Sequence, residues 1–377
     1  MRLPLRLILC LALVGLAACG KHHPAPAAGV LPALIGDGWE RADPVASGFD
    51  AAKLQATLEK AAGEPIDLHA VVVERHGRLV AEIYRAGKDK GVYDLFATTR
   101  DFGPTTLHDV RSVGKSVVSL LIGAARQEGK LDDLSKPVLD FYPEFKDLQT
   151  PPRRAITIEH LLTMSSGFEW QEGGPGRDDE HRLYWKWTPA YYALSRPIAA
   201  PPGTRFNYNS GGNLVLADIL ARATATPLKD YARTRLFQPL GITDWEWTGD
   251  LHGQPMAFTG LRMRPRDMAK LGRLVLNHGR WKELQLVPAE WIDASLKPRL
   301  DTGFDGTRYG YQWWTGSLQW RGKNLPWAAA FGNGSQRIFV VPDLDLCVVV
   351  TAGAYGDVAV ARRVDLLLQD IVATVDR

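Results

Sequence analysis

The feature that most constrains this chain is the stretch from Ser112 to Ala125, apolar or small at every position except one lysine, Lys115. It follows His108-Asp109-Val110-Arg111, turns polar at Arg126-Gln127-Glu128 and stops at Gly129. Glycine is the usual residue just past a helix end. A helix without a polar face is buried on all sides. A lysine in its first turn is then costly, because lysine is almost never fully buried unless paired. Ser112 lies three residues before Lys115, and positions i and i+3 share a helix face. Hydroxyl and amine therefore meet at the N-terminal end of a core helix, a pairing that activates a weak serine nucleophile. Two plainer readings stand beside it: Lys115 reaching solvent along its stem, and Ser112 acting only as an N-cap. Ser-x-x-Lys occurs once in the chain.

A length of 377 residues suggests roughly two lobes. The formal charge of +3 is small and spread out, which gives no basic stripe for nucleic acid. Arg2 and Arg6 precede an apolar run, Leu7 to Leu16, too short to span a bilayer, and the sequence continues Ala17-Ala18-Cys19. Residues 1–18 read as a signal peptide. The cysteine directly after the small residues resembles a bacterial lipoprotein box. That resemblance implies cleavage before Cys19, lipid on its thiol and residence in the bacterial cell envelope; Gly20 is similar to lipoproteins sent to the outer membrane, facing the periplasm. An ordinary signal peptide with an incidental cysteine is the alternative. Residues 19–37, rich in Pro, Ala and Gly, read as a tether. The lipid anchor is thus the only membrane association expected. Cys10 leaves with the signal and Cys347 stands alone in a strand pattern, so no intramolecular disulfide is expected. The histidines are scattered, and no metal or organic cofactor is implied.

The body divides by periodicity. Phe49 to Ala62 reads as a helix; Leu68 to Glu74 and Arg78 to Tyr84 read as a hairpin around His76-Gly77. Helical patterns then dominate: 158–164, 214–223, 228–236, 266–277 and 288–295. Strand patterns return at Arg337 to Val341 and Leu346 to Thr351, around Pro342-Asp343-Leu344-Asp345. The chain closes on an amphipathic helix with Val360, Val364, Leu367, Leu368, Ile371, Val372 and Val375 on one face. Segregated strands and helices predict an α+β fold: an antiparallel sheet flanked by N- and C-terminal helices, plus a mostly helical lobe. The sheet lobe is expected at about 38–107 and 300–377, and the helical lobe at about 112–299, with a cleft where they join.

A serine–lysine pair needs a second proton carrier and an oxyanion hole. Tyr208, in the polar loop Phe206-Asn207-Tyr208-Asn209-Ser210-Gly211-Gly212 before a helix, is placed to point into a cleft. Phe331-Gly332-Asn333-Gly334-Ser335-Gln336 leads into a late strand, where glycines mark a bulge or close backbone approach. A backbone N–H there, with that of Ser112, would hold an oxyanion. Together these motifs resemble the penicillin-recognising serine hydrolases, marked by Ser-x-x-Lys, Tyr-x-Asn and a Lys-Thr-Gly-like strand. Leu161-Leu162-Thr163-Met164-Ser165-Ser166-Gly167, Leu240-Gly241-Ile242-Thr243 and Met263-Arg264-Pro265-Arg266-Asp267-Met268-Ala269 extend the resemblance, which covers about residues 45 to 375. It is most similar to class C β-lactamase-like esterases and amidases, especially the 6-aminohexanoate-dimer hydrolase type. It implies a β-lactamase/transpeptidase-like fold, with Ser112, Lys115 and Tyr208 catalytic and Ser210, Asn333, Gly334 and Ser335 around substrate and oxyanion. Two departures matter: Ser210 stands where β-lactamases carry Asn, and no Lys or His precedes the late glycines, where Phe331, Gly332 and Asn333 stand. The expected activity is hydrolysis of a small-molecule ester or amide, with β-lactamase or DD-peptidase the disfavoured variants. The rival is a surface lipoprotein that keeps the fold but only binds cell-wall peptide or a partner. Arg177-Asp178-Asp179-Glu180-His181 reads as a solvated loop or a lid, Trp170 with Glu172 as part of a segment that lines the cleft, and His108 as a structural hydrogen-bonding residue.

Overall fold

The computed structural model describes residues 30–173 and 177–376. At its centre is an antiparallel sheet of eight strands: β1 (Leu68–Arg75), β2 (Arg78–Tyr84), β3 (Leu300–Asp301), β4 (Arg308–Tyr309), β5 (Trp314–Trp320), β6 (Lys323–Gly332), β7 (Gln336–Val341) and β8 (Leu346–Ala352). Their spatial order is β3-β4-β5-β6-β7-β8-β1-β2, so the first hairpin pairs with the last strand. Neighbouring residues of a strand face opposite ways, and β8 follows that rule: Leu346, Val348 and Val350 enter one core while Cys347 and Val349 enter the other.

The first of these cores is closed by α1 (Ala51–Gly63), whose N-cap Asp50 accepts the Lys53 amide, and by α6 (Val358–Val372), capped by Asp357. This is the terminal-helix layer that the sequence leads one to expect. The other face carries α2 (Val113–Gln127) and α5 (Pro265–Leu276). Although α5 falls within the stretch read as the helical lobe, it packs on β7, β8 and β1. Its Arg273 forms a buried ion pair with Glu74 of β1 at 2.6 Å. Beyond α2 lie α3 (Asp179–Leu183) and α4 (Ser210–Thr224).

Residues 30–37, expected in the tether, lie on the domain instead. The Val30 carbonyl accepts the Glu82 amide at 2.8 Å, and Asp37 pairs with buried Arg266 at 3.1 Å. Cys19, the signal segment and the rest of the tether fall outside the described residues. Among the described residues no helix is long and apolar enough to cross a membrane.

Candidate active site

Ser112 immediately precedes α2 and its side chain caps nothing. Its Oγ instead receives Lys115 Nζ at 2.8 Å. Lys115 is 1% exposed. The N-cap and snorkelling readings therefore both fail, and the helix pitch sets the pair as the i, i+3 spacing predicts. Lys115 Nζ also donates to the Phe258 carbonyl at 3.1 Å and lies 4.8 Å from the centre of the Tyr208 ring. Gly114 permits this arrangement, since a Cβ there would stand 2.5 Å from the Ala257 carbonyl oxygen. The missing side chain lets the 256–260 turn press onto α2 and deliver the next carbonyl to the amine.

Burial pushes the Lys115 amine below the usual lysine range, against the pull of the Glu172 and Glu180 charges. Burial pushes the Tyr208 phenol well above its usual value, and the Glu172 charge pushes it further. The Ser112 hydroxyl offsets part of that rise through a polar contact outside ideal hydrogen-bond geometry. Trp314, with its ring centre 5.8 Å away, packs on the Tyr208 ring. Burial thus keeps the phenol protonated at neutral pH and makes the amine easier to deprotonate than an ordinary lysine.

The turn Asn333-Gly334-Ser335 between β6 and β7 forms the opposite wall. A Cβ on Gly332 would lie 2.3 Å from the Val110 carbonyl, so this glycine lets the end of β6 close against the segment leading into Ser112. Asn333 Oδ1 accepts the Gly356 amide at 2.8 Å, and Gly334 pairs with Ala354, which ties the turn to the loop before α6. Among the described residues neither the Ser112 nor the Asn333 amide has a hydrogen-bond acceptor. Ser335 sits at φ 70°, its buried hydroxyl without a partner. Ser112, Tyr208, Asn333, Gly334 and Ser335 share one cavity of about 340 Å³.

Ser210 does not join them. It is fully buried in the first turn of α4, its hydroxyl has no partner, and it is absent from the cavity wall. Only its backbone N–H reaches the site, donating to Glu172 Oε1. Glu172 and Glu180 line the cavity, Glu172 within the segment expected at the cleft. Arg337 of β7 also lines it, a guanidinium in the region that has no cation before the glycines. It is engaged by Asp365 at 2.7 Å and lies over the Phe331 ring at 4.1 Å. The Arg177–His181 run is not a solvated loop: Asp179 is fully buried, bonded by Arg177 and by the Tyr192 hydroxyl at 2.6 Å, and opens α3, which carries Glu180. His108 is buried and shares a 2.6 Å hydrogen bond with His69, the structural role expected of it. Among the described residues no cluster of three or more His, Cys, Asp or Glu side chains is placed to hold a metal ion.

The profile of the family described as Beta-lactamase matches residues 67–370. The 6-aminohexanoate-dimer hydrolase of Paenarthrobacter ureafaciens is 26% identical over 301 residues, 74% of this chain and 71% of that protein. Lovastatin esterase of Penicillium rubens is 28% identical over 156 residues, 37% of this chain and 36% of that protein. Among solved structures, the octameric penicillin-binding protein homologue from Pyrococcus abyssi superposes with a TM-score of 0.63 at 21% identity, covering 85% of this chain and 77% of that one. A D-stereospecific amidohydrolase from Streptomyces sp. gives 0.61 at 17%, covering 83% and 97%. At these identities the structural likeness speaks for the fold alone.

Proposed function

The chain belongs to the Beta-lactamase family, and from that premise we propose that it is a serine hydrolase cleaving an ester or amide bond through a covalent acyl-enzyme on Ser112. The observation that carries this reading is the 2.8 Å contact between Ser112 Oγ and a buried lysine amine. Ser112 Oγ forms a bond to the substrate carbonyl carbon while Lys115 takes its proton. The amides of Ser112 and Asn333 receive the oxyanion, and the start of α2 adds a favourable dipole. Tyr208, held protonated, passes its proton to the leaving oxygen or nitrogen as that bond breaks, and recovers one from Lys115. Water then enters, the same groups carry its proton, and the acid is released.

Substrates with a carboxylate beside the scissile bond are disfavoured. The cation on the cavity wall, Arg337, is already engaged by Asp365, and the carboxyl groups of Glu172 and Glu180 offer no positive partner. A carboxylate therefore lacks a charge-assisted partner worth about 1.5–3 kcal/mol. This favours an esterase or amidase over a β-lactamase or DD-peptidase. The Leu16-Ala17-Ala18-Cys19 run supports a lipid anchor at Cys19 that holds the enzyme in the bacterial cell envelope.

Ser112→Ala is expected to abolish hydrolysis of p-nitrophenyl esters, and a fluorophosphonate probe to add its mass to Ser112 in the unmodified enzyme. Full activity in the variant overturns the mechanism. No adduct together with no turnover supports a protein that only binds.

A further inference from the structure

Trp314 stands at the centre of a run of aromatic rings that begins at the Tyr208 phenol and ends in solvent. Its ring centre lies 5.8 Å from that of Tyr208, 5.2 Å from Tyr309 of β4, 5.9 Å from Phe206 and 5.4 Å from Phe331 of β6, the last with planes 19° apart. On the outer side Phe304, 61% exposed, reaches it at 6.4 Å. Trp314 and Phe331 are both partly exposed, and both line the Ser112 cavity beside Tyr208. The proton transfers among Ser112, Lys115 and Tyr208 call for neither ring.

This wall is held in place from behind. Alternate residues of a strand share a face, so Trp327, Ala329 and Phe331 of β6 lie on one side of the sheet. Trp327 packs on Phe331 at 6.1 Å, and Gly316 opposite it makes room, since a Cβ there would come within 2.3 Å of the Trp327 ring. From β7 the Arg337 guanidinium lies 4.1 Å over the Phe331 ring, and Asp365 of α6 fixes that guanidinium at 2.7 Å. Phe339 meets Phe331 edge-on at 5.7 Å. The cation therefore steadies a ring instead of facing a ligand.

We propose that Trp314 and Phe331 are specificity-determining residues for the hydrolysis, a wall that takes a flat, apolar group of the substrate, an aryl ring above all, close to the scissile bond. This rests on the reading of Ser112 as nucleophile. An aryl ring laid against the two side chains gains aromatic contact beyond the apolar area it buries, and it displaces water from surface that offers that water no hydrogen bond. A wall already fixed by its neighbours loses little freedom when the ring arrives. A short aliphatic ester covers almost none of it. The ring can reach the wall from the acyl side or from the alcohol side of the bond, and each side has its own arm of the test.

The measurement is kcat/KM, by titration of the released acid, for ethyl acetate, ethyl phenylacetate and benzyl acetate, each divided by the rate of the same ester with hydroxide. In the wild type at least one aryl ester is expected to exceed ethyl acetate by about tenfold, the scale of one good aromatic contact. Phe331→Ala is expected to remove most of that ratio. Phe331→Leu, which keeps apolar volume without the plane, is expected to remove part of it. The ester that loses its advantage shows which side of the bond carries the ring. A wild type that prefers neither aryl ester overturns the proposal, and so does a preference that Phe331→Ala leaves intact. If Phe331→Ala does not fold, the wild-type ratios and Phe331→Leu decide, and a ratio unmoved in Phe331→Leu overturns the proposal. Ser112→Ala on ethyl acetate separates the failures. Activity there sinks the nucleophile, whereas inactivity there with no aryl preference in the wild type sinks only the wall. A wild type that turns over none of the three esters sinks both.

Discussion

Lys115 is held where an amine is least comfortable, and the fold carries the cost. Its amine is depressed by burial and satisfied by one hydroxyl and one carbonyl. Because its folded value lies below the unfolded value, stability is lost as pH falls from the ordinary lysine range through the folded value. Lys115→Met should therefore abolish turnover while stabilising the fold by on the order of 1 kcal/mol near neutral pH, and by less as pH approaches about 10. Thermal unfolding across a pH series checks this; a variant no more stable than wild type at neutral pH contradicts it. Residues such as Lys115 were legible because their logic is local: serine, lysine and the apolar run lie within a few turns of one helix. The contact that fixes Glu172 was not, because it is made with an amide 38 residues away. Arg337 was missed for a related reason: it lies past the turn that follows the expected cation position, and the strand pleat swings it back onto the cavity wall.

Helices announced themselves through spacing, and most expected boundaries fall within a few residues of the observed ones. The β5–β6 hairpin did not. Pro326 weighs against a strand in sequence, yet it sits in β6 paired only with Ser317, before the point where β7 joins at Ala328. A missing N–H is harmless where one side has no neighbour. The turn is Arg321-Gly322, with φ 49° and 76°, the left-handed pair that matches strand twist. Arginine in the first of these positions hid the signal. A similar departure ends α4, where Ala225 occupies a left-handed cap at φ 50°. Ala225→Gly relieves that strain, and it is expected to raise stability by about 0.5–1 kcal/mol with activity unchanged. Chemical denaturation reads this directly, and a destabilised variant would count against it.

At the scale of the molecule, two cores share one sheet, and the chain crosses between them several times. The N-terminal segment is part of that plan. A chain beginning at residue 38 loses the Val30 carbonyl on β2 and the Asp37 contact to Arg266, leaving that buried guanidinium with fewer acceptors. It should melt below a chain beginning at residue 30, by calorimetry on both; equal melting temperatures would show that the segment rests on the surface without contributing. The fold class was readable because strand and helix patterns segregate along the chain. The placement of α5 was not, because an amphipathic helix does not say which apolar face it will meet. The order β7-β8-β1 has a last consequence. The opening hairpin finds its neighbour only in the closing strand, and Ser112 shares its cavity with the turn between β6 and β7. A ribosome must therefore pass residue 335 before the Ser112 cavity has its opposite wall. A product terminated before residue 333 lacks that turn and β8, and with them one wall of the Ser112 cavity and the strand that pairs with β1.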